Sequence, residues 1–139
     1  MKRIIVGVDG SDSAAAAIDW ALDYAASDDV VVFAHVWQLS APREFDIGYE
    51  YAAKVEEAAN LLVDGLVTKY RTVDGPTIEA LVQQGHAGQR LIDAAADADL
   101  LVVGRRGYGG FKGLLLGSIS TYVVHHATSP IVIITADED

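Results

Sequence analysis

V-G-R-R-G-Y-G-G-F-K-G-L-L-L-G-S-I-S, residues 103–120, is the stretch from which the rest of the chain is read. The apolar run Leu100–Val103 leads into it, and an amphipathic segment follows Gly117-Ser118. The pattern is strand, glycine-rich loop, helix. In such a unit the loop lies at the carboxyl end of a buried strand, where open α/β sheets bind ligands. Glycine lets a backbone approach a ligand closely. Ser118 stands at the expected helix start, where a hydroxyl and the first backbone N–H groups can meet a phosphate. Arg105, Arg106 and Lys112 place positive charge here in an acidic chain.

The stretch departs from two common phosphate motifs. A Walker A loop needs Gly-Lys before Ser or Thr, but Gly113 follows Lys112. The dinucleotide fingerprint finds two glycines in Gly107 and Gly109, with Lys112 in the third place. What the chain contains is Gly104, two residues, Gly107, nine residues, then Gly117-Ser118.

The bulk properties narrow the classes. At 139 residues one domain, 1–139, is expected. With no cysteine, disulfides and thiolate metal sites are excluded. Met1-Lys2-Arg3 precedes only five apolar residues before Asp9, too few for a signal peptide or a membrane span, so a cytoplasmic protein is expected. The net charge of −10 disfavours nucleic acid, whose phosphates need a basic surface.

Working outward, Arg3–Val8 and Val30–Val36 are short continuous apolar runs, the mark of strands buried on both faces. Between them a helix is expected from about Ala14 to Ala26, capped by Ser11, Asp12 or Ser13, with Ala17, Ile18, Ala21, Leu22 and Ala25 in one apolar stripe. Trp37 to Gly48 is the longest irregular stretch. Tyr49–Arg71 reads as a long amphipathic helix, Thr77–Gln84 as an edge strand, and a short helix carries Leu91, Ile92 and Ala95. A last helix is expected over Ser118–Ala127 and a last strand over Ile131–Thr135. Strict β-α alternation with buried strands implies a doubly wound, Rossmann-like parallel sheet with helices on both faces.

Such a sheet puts its first and fourth strands side by side where the strand order reverses. Asp9 then faces the glycine loop across a crevice, where a carboxylate can bind a ribose hydroxyl, a base nitrogen or a phosphate-borne metal ion. A cap for the first helix is the other reading of Asp9. His35 is read as a core or sheet-surface residue, His125 and His126 as cations at a helix end, and His86 as a loop residue at the ligand edge. No histidine has partners at metal spacing, so no metal held by the protein alone is expected.

Four fragments, V-G-V-D-G-S, A-H-V, Q-G-H-A-G and G-R-R-G…G-S-I-S, follow successive strands in order. Together they resemble the pattern of the universal stress protein family, in its ATP-binding branch, over the whole chain. The resemblance implies a five-stranded parallel sheet of order 3-2-1-4-5. It implies that Val8, Asp9 and Val36 line the adenine and ribose, and that Val103, Gly104 and Gly107 follow the ribose and first phosphate. Gly117, Ser118, Ile119 and Ser120 are implied to hold the outer phosphates of ATP, with Mg2+ to which Asp9 is a candidate ligand. Arg105, between the first two glycines, is added on charge alone. The resemblance further implies a stress-response regulator that dimerises by pairing the last strand, Ile131, Val132, Ile133 and Ile134, with that of a second copy. Two other functions stay open. One is a slow ATPase or phosphoryl-transfer enzyme, for which no general base or arginine finger is evident beyond Asp9 and Arg105. The other is a nucleotide-independent interaction or chaperone-like module.

Overall fold

The computed structural model of the chain describes residues 1–39, 48–106 and 116–135, without the side chains of Gly48 and Tyr49. In chain order the elements are β1 (Arg3–Gly7), α1 (Asp12–Tyr24), β2 (Val30–Trp37), α2 (Gly48–Tyr70) and β3 (Thr77–Gln84). They continue with α3 (Ala87–Ala95), β4 (Leu100–Gly104), α4 (Ser118–His126) and β5 (Ile131–Ile134). The five strands form one parallel sheet in the order β3-β2-β1-β4-β5.

The register aligns Val6 with Phe33 of β2 and with Val102 of β4, so β1 runs at the centre of the sheet. Side chains alternate across it and build two cores. Ile4, Val6, Val31, Phe33 and Val102 face α1 and α2, meeting Ala17, Ile18, Ala21, Val63 and Val67. Ile5, Val32, Ala34, Leu101 and Val103 face α3 and α4, meeting Leu91, Ile92, Ala95 and Val123. Strands buried on both faces explain why the sequence shows runs of Ile and Val rather than alternation. At the outer edges the pattern loosens: β3 exposes Glu79 and Ala80, and all four residues of β5 are half-buried.

Local chemistry shifts the helix ends from their sequence expectations. α1 starts at Asp12 because Ser11 is its cap, the Ser11 Oγ accepting the Ala14 N–H at 3.1 Å. It ends at Tyr24, ahead of Ala26, whose N–H turns instead to the Asp29 carboxylate at 2.8 Å. That carboxylate is buried. It also accepts the Lys2 backbone N–H at 2.7 Å and pairs with the Lys2 ammonium at 2.9 Å. Asp29 therefore locks the α1–β2 turn to the start of β1, on the sheet edge opposite the glycine loop.

Bonds from the Lys2 N–H and ammonium and from the Ala26 N–H hold the Asp29 carboxyl well below its ordinary value of 3.8. The unfolded chain thus binds this proton more readily than the folded one. The lock's contribution is fully present above about pH 4 and is lost as pH falls through the lower folded value. Asp29→Asn is expected to lower stability at pH 7 and to flatten its decline between pH 7 and pH 3. Urea midpoints at the two pH values check this, and an equal decline in both proteins refutes it.

Candidate functional site at the carboxyl edge of the sheet

β1 leaves the sheet through Val8, Asp9 and Gly10. Gly10 has φ 82°, a left-handed conformation that glycine adopts without strain. This turn brings Asp9 back onto Ser11: its Oδ1 accepts the Ser11 N–H at 2.9 Å and the Ser11 hydroxyl. The same Ser11 oxygen accepts from Ala14. Asp9 is therefore not the helix cap but the group that orients the cap, and only one of its carboxylate oxygens serves these bonds.

The end of β2 meets the same turn. The Val8 N–H donates to the Ala34 carbonyl at 2.8 Å. The Val8 carbonyl lies 2.7 Å from His35 Nδ1. A carbonyl only accepts, so Nδ1 is the nitrogen that donates here. His35 is thus a half-buried sheet residue with a definite task, pinning the β1 exit to β2. Val8 packs with the α1–α2 core, whereas Val36 and Val103 pack with the α3–α4 core. Val8 and Val36, expected to border the base and ribose, therefore pack on opposite faces of the sheet, and Val103, expected to follow the ribose and first phosphate, packs on the same face as Val36. Trp37 ends β2 opposite Gln84, and its carbonyl accepts the Gly85 N–H at 2.9 Å.

The glycine-rich stretch is tied down at both ends. Gly104 ends β4 against the first turn of α1. A Cβ there would sit 2.7 Å from the Ser13 carbonyl carbon and oxygen, so no side chain fits. The Arg105 N–H donates to the Ile134 carbonyl of β5 at 2.8 Å, and the Arg106 N–H to Ser13 Oγ at 3.3 Å. From the far end, the Gly117 N–H and the Ser120 hydroxyl both donate to the Arg105 carbonyl, each at 2.7 Å. The structure thus brings Gly104, Arg105, Gly117 and Ser120 together. Gly107 and Lys112 lie outside the described residues, as does Pro42.

Ser118, read from sequence as the helix start, is the first helical residue, and Gly117 is the cap position. Gly117 and Ser120 are buried, while Ser118 and Ile119 are exposed. The three helices that begin at this edge with a defined cap differ in one respect. α1 has the Ser11 side chain as its cap and α3 has His86, whose Nδ1 accepts the Gln89 N–H at 3.1 Å. α4 has no side-chain cap. Among the described residues its first N–H groups have no side-chain acceptor, and they carry the positive end of the helix dipole. Two half-buried arginines, Arg105 and Arg106, stand at the base of the loop. Such an end suits an anion with several acceptor oxygens.

Ser13 is the site residue that sequence reading undervalued. It was one of three possible caps, yet its hydroxyl and backbone form the seat for Gly104 and Arg106. Only its smallness, in a D-G-S-D-S run, hints at this. His125 and His126 are exposed in the last turn of α4, away from its first turn. Among the described residues no group of three His, Cys, Asp or Glu side chains is placed to hold a metal ion, and no helix is long and apolar enough to cross a membrane.

The family model described as the universal stress protein family matches residues 1–135. A universal stress protein of Mycolicibacterium smegmatis is 31% identical over 132 residues, which are 94% of this chain and 45% of that protein. The chain thus spans somewhat under half the length of that relative. Among solved structures, a universal stress protein family protein from Arabidopsis thaliana with AMP bound superposes with a TM-score of 0.71 at 21% identity, covering 99% of this chain and 93% of the other. A universal stress protein in complex with cAMP superposes with a TM-score of 0.58 at 26% identity, covering 96% of each chain.

Proposed function

The chain belongs to the universal stress protein family, and on that premise we propose that it is a stress-response regulatory protein that binds ATP at the carboxyl edge of the sheet. The observation that carries this reading is the α4 N-terminus: a buried glycine at the cap position, no side-chain cap, and two arginines at the neighbouring strand end. The α1 and α3 N-termini, at the same edge, are already satisfied by Ser11 and His86. An anion placed at such a terminus gains roughly 0.3–1 kcal/mol from the dipole, and up to about 2 kcal/mol when partly buried. Relatives whose structures hold AMP and cAMP support an adenine nucleotide as the anion's carrier.

In this reading the N–H groups of Ser118, Ile119 and Ser120 meet the outer phosphates, and Gly117 keeps a side chain out of their way. Gly104, Gly107 and Val103 follow the ribose and first phosphate, with Arg105 adding charge. Val8, Asp9 and Val36 border the base and sugar. The carboxylate oxygen of Asp9 that Ser11 does not use suits a ribose hydroxyl or a nucleotide-borne Mg2+. Mg2+ would supply charge neutralisation between phosphate oxygens. β5, half-buried and last in the sheet, pairs with β5 of a second copy, which covers the open edge.

Calorimetric titration of Mg-ATP tests the site. The native protein is expected to bind saturably. Gly117→Val, which puts a β-branched side chain at the cap, is expected to weaken binding by at least about tenfold, the equivalent of losing one charge-assisted hydrogen bond. Sedimentation of the same sample is expected to give about twice the 14.8 kDa chain mass. A native protein silent to ATP, ADP and AMP overturns the reading.

A further inference from the structure

The Ser120 side chain stands apart from the other groups of the proposed phosphate site. It is 2% exposed, and its hydroxyl has two acceptors, the Arg105 carbonyl at 2.7 Å and the Gly117 carbonyl at 3.1 Å. A serine hydroxyl has one proton to donate. A phosphate oxygen at neutral pH offers only lone pairs, so it needs a donor. Both acceptors already compete for that proton, the shorter bond going to Arg105. For the side chain to bond a phosphate it would have to break a buried bond and withdraw its proton from the Arg105 carbonyl.

The two acceptors belong to opposite ends of the glycine-rich stretch. Arg105 is fixed to β5 through its own N–H, which donates to Ile134, and its neighbour Arg106 is fixed to α1 through Ser13. Gly117 is the cap of α4. The Ser120 hydroxyl therefore joins the tip of β4 to the first turn of α4. These are the two places that the nucleotide must touch at once. Their separation is set before any ligand arrives, which lowers the ordering cost of binding.

We infer that Ser120 is a positioning residue: its hydroxyl clasps the two ends of the loop together, and only its backbone N–H faces the phosphates. The inference rests on the proposed nucleotide site for its effect on binding, but not for the clasp itself, which belongs to the free protein. It predicts that removing the hydroxyl loosens the loop base without nucleotide present, and that the affinity loss is shared by nucleotides of different phosphate number.

The test compares the native protein with Ser120→Ala and Ser120→Thr. Ser120→Cys, similar in volume and a much weaker donor, stands in should the alanine variant fold poorly. In nucleotide-free samples, amide hydrogen exchange at Gly117 is expected to speed up about tenfold in Ser120→Ala and to stay near native in Ser120→Thr. Titration with ATP and with AMP is expected to show a parallel weakening of about fivefold in Ser120→Ala, restored in Ser120→Thr. Unchanged Gly117 exchange overturns the clasp. So does a loss confined to ATP with AMP binding intact, the mark of a direct outer-phosphate ligand. A native protein that binds neither nucleotide refutes the proposed site instead, and the exchange comparison still decides the clasp.

Discussion

Gly104→Ala is expected to destabilise the free protein by about 3 kcal/mol or more, the upper end of what overpacking costs. The added Cβ meets the carbonyl carbon and oxygen of Ser13 at 2.7 Å. These are backbone atoms in the first turn of α1, which Ser11 caps and Asp9 braces. No rotamer change relieves the contact, so β4 and α1 must move apart, and α1 packs across the central strands. Gly88 offers the control. A Cβ there meets Tyr122 ring atoms at 2.5 and 2.9 Å. These atoms lie at the root of a ring whose hydroxyl is held by Gln89, but they belong to a side chain and not to backbone, so Gly88→Ala is expected to cost less than Gly104→Ala. Urea unfolding without nucleotide measures both variants. Were Gly104 a glycine only for a ligand's sake, Gly104→Ala would unfold at the native midpoint, and that result would remove Ser13 from the explanation.

Phe33→Ala is expected to remove about 3–5 kcal/mol, the usual cost of emptying a buried aromatic site. Phe33 is fully buried at the centre of β2, between β1 and β3. Its ring packs edge-on to Tyr70 with centroids 6.0 Å apart, and it shares one core with Ile18, Val31, Val63 and Val102. The hole left by alanine is walled by strand backbone on one side and by α1 and α2 on the other, so little can collapse into it. Against a typical total of about 5–15 kcal/mol, the variant is expected to be partly unfolded at 37 °C. Equilibrium denaturation measures the loss. A cost under about 1.5 kcal/mol, in the range of volume-conserving swaps, would show that this core is not tightly packed.

Both effects bear on how much could be read before the fold was known. Apolar runs such as I-I-V at Ile4–Val6 and V-V-V-F at Val30–Phe33 marked the strands, because a strand buried on both faces must be apolar throughout. The alternation of elements decided a parallel doubly wound sheet, since parallel neighbours need crossover helices. The order 3-2-1-4-5 came from the family resemblance, and the sheet has that order. Element bounds missed by one or two residues, as at Asp12, where Ser11 rather than Asp12 or Ser13 became the cap.

The chain by itself therefore determined its class, its elements and the place of its glycine-rich stretch, because these follow from local patterns of hydrophobicity, turn chemistry and spacing. The tertiary structure alone decided what several polar residues do. Asp29 is a buried lock on Lys2, 27 residues away. His35 reads as a core or sheet-surface residue, and its bond to Val8, also 27 residues away, gives it a purpose. Ser13 seats Arg106 across 93 residues. The Ser120 hydroxyl gives its proton to the Arg105 carbonyl, 15 residues away. A hydrogen bond needs a particular partner within about 3 Å, and no periodicity in the sequence encodes which distant strand end supplies it.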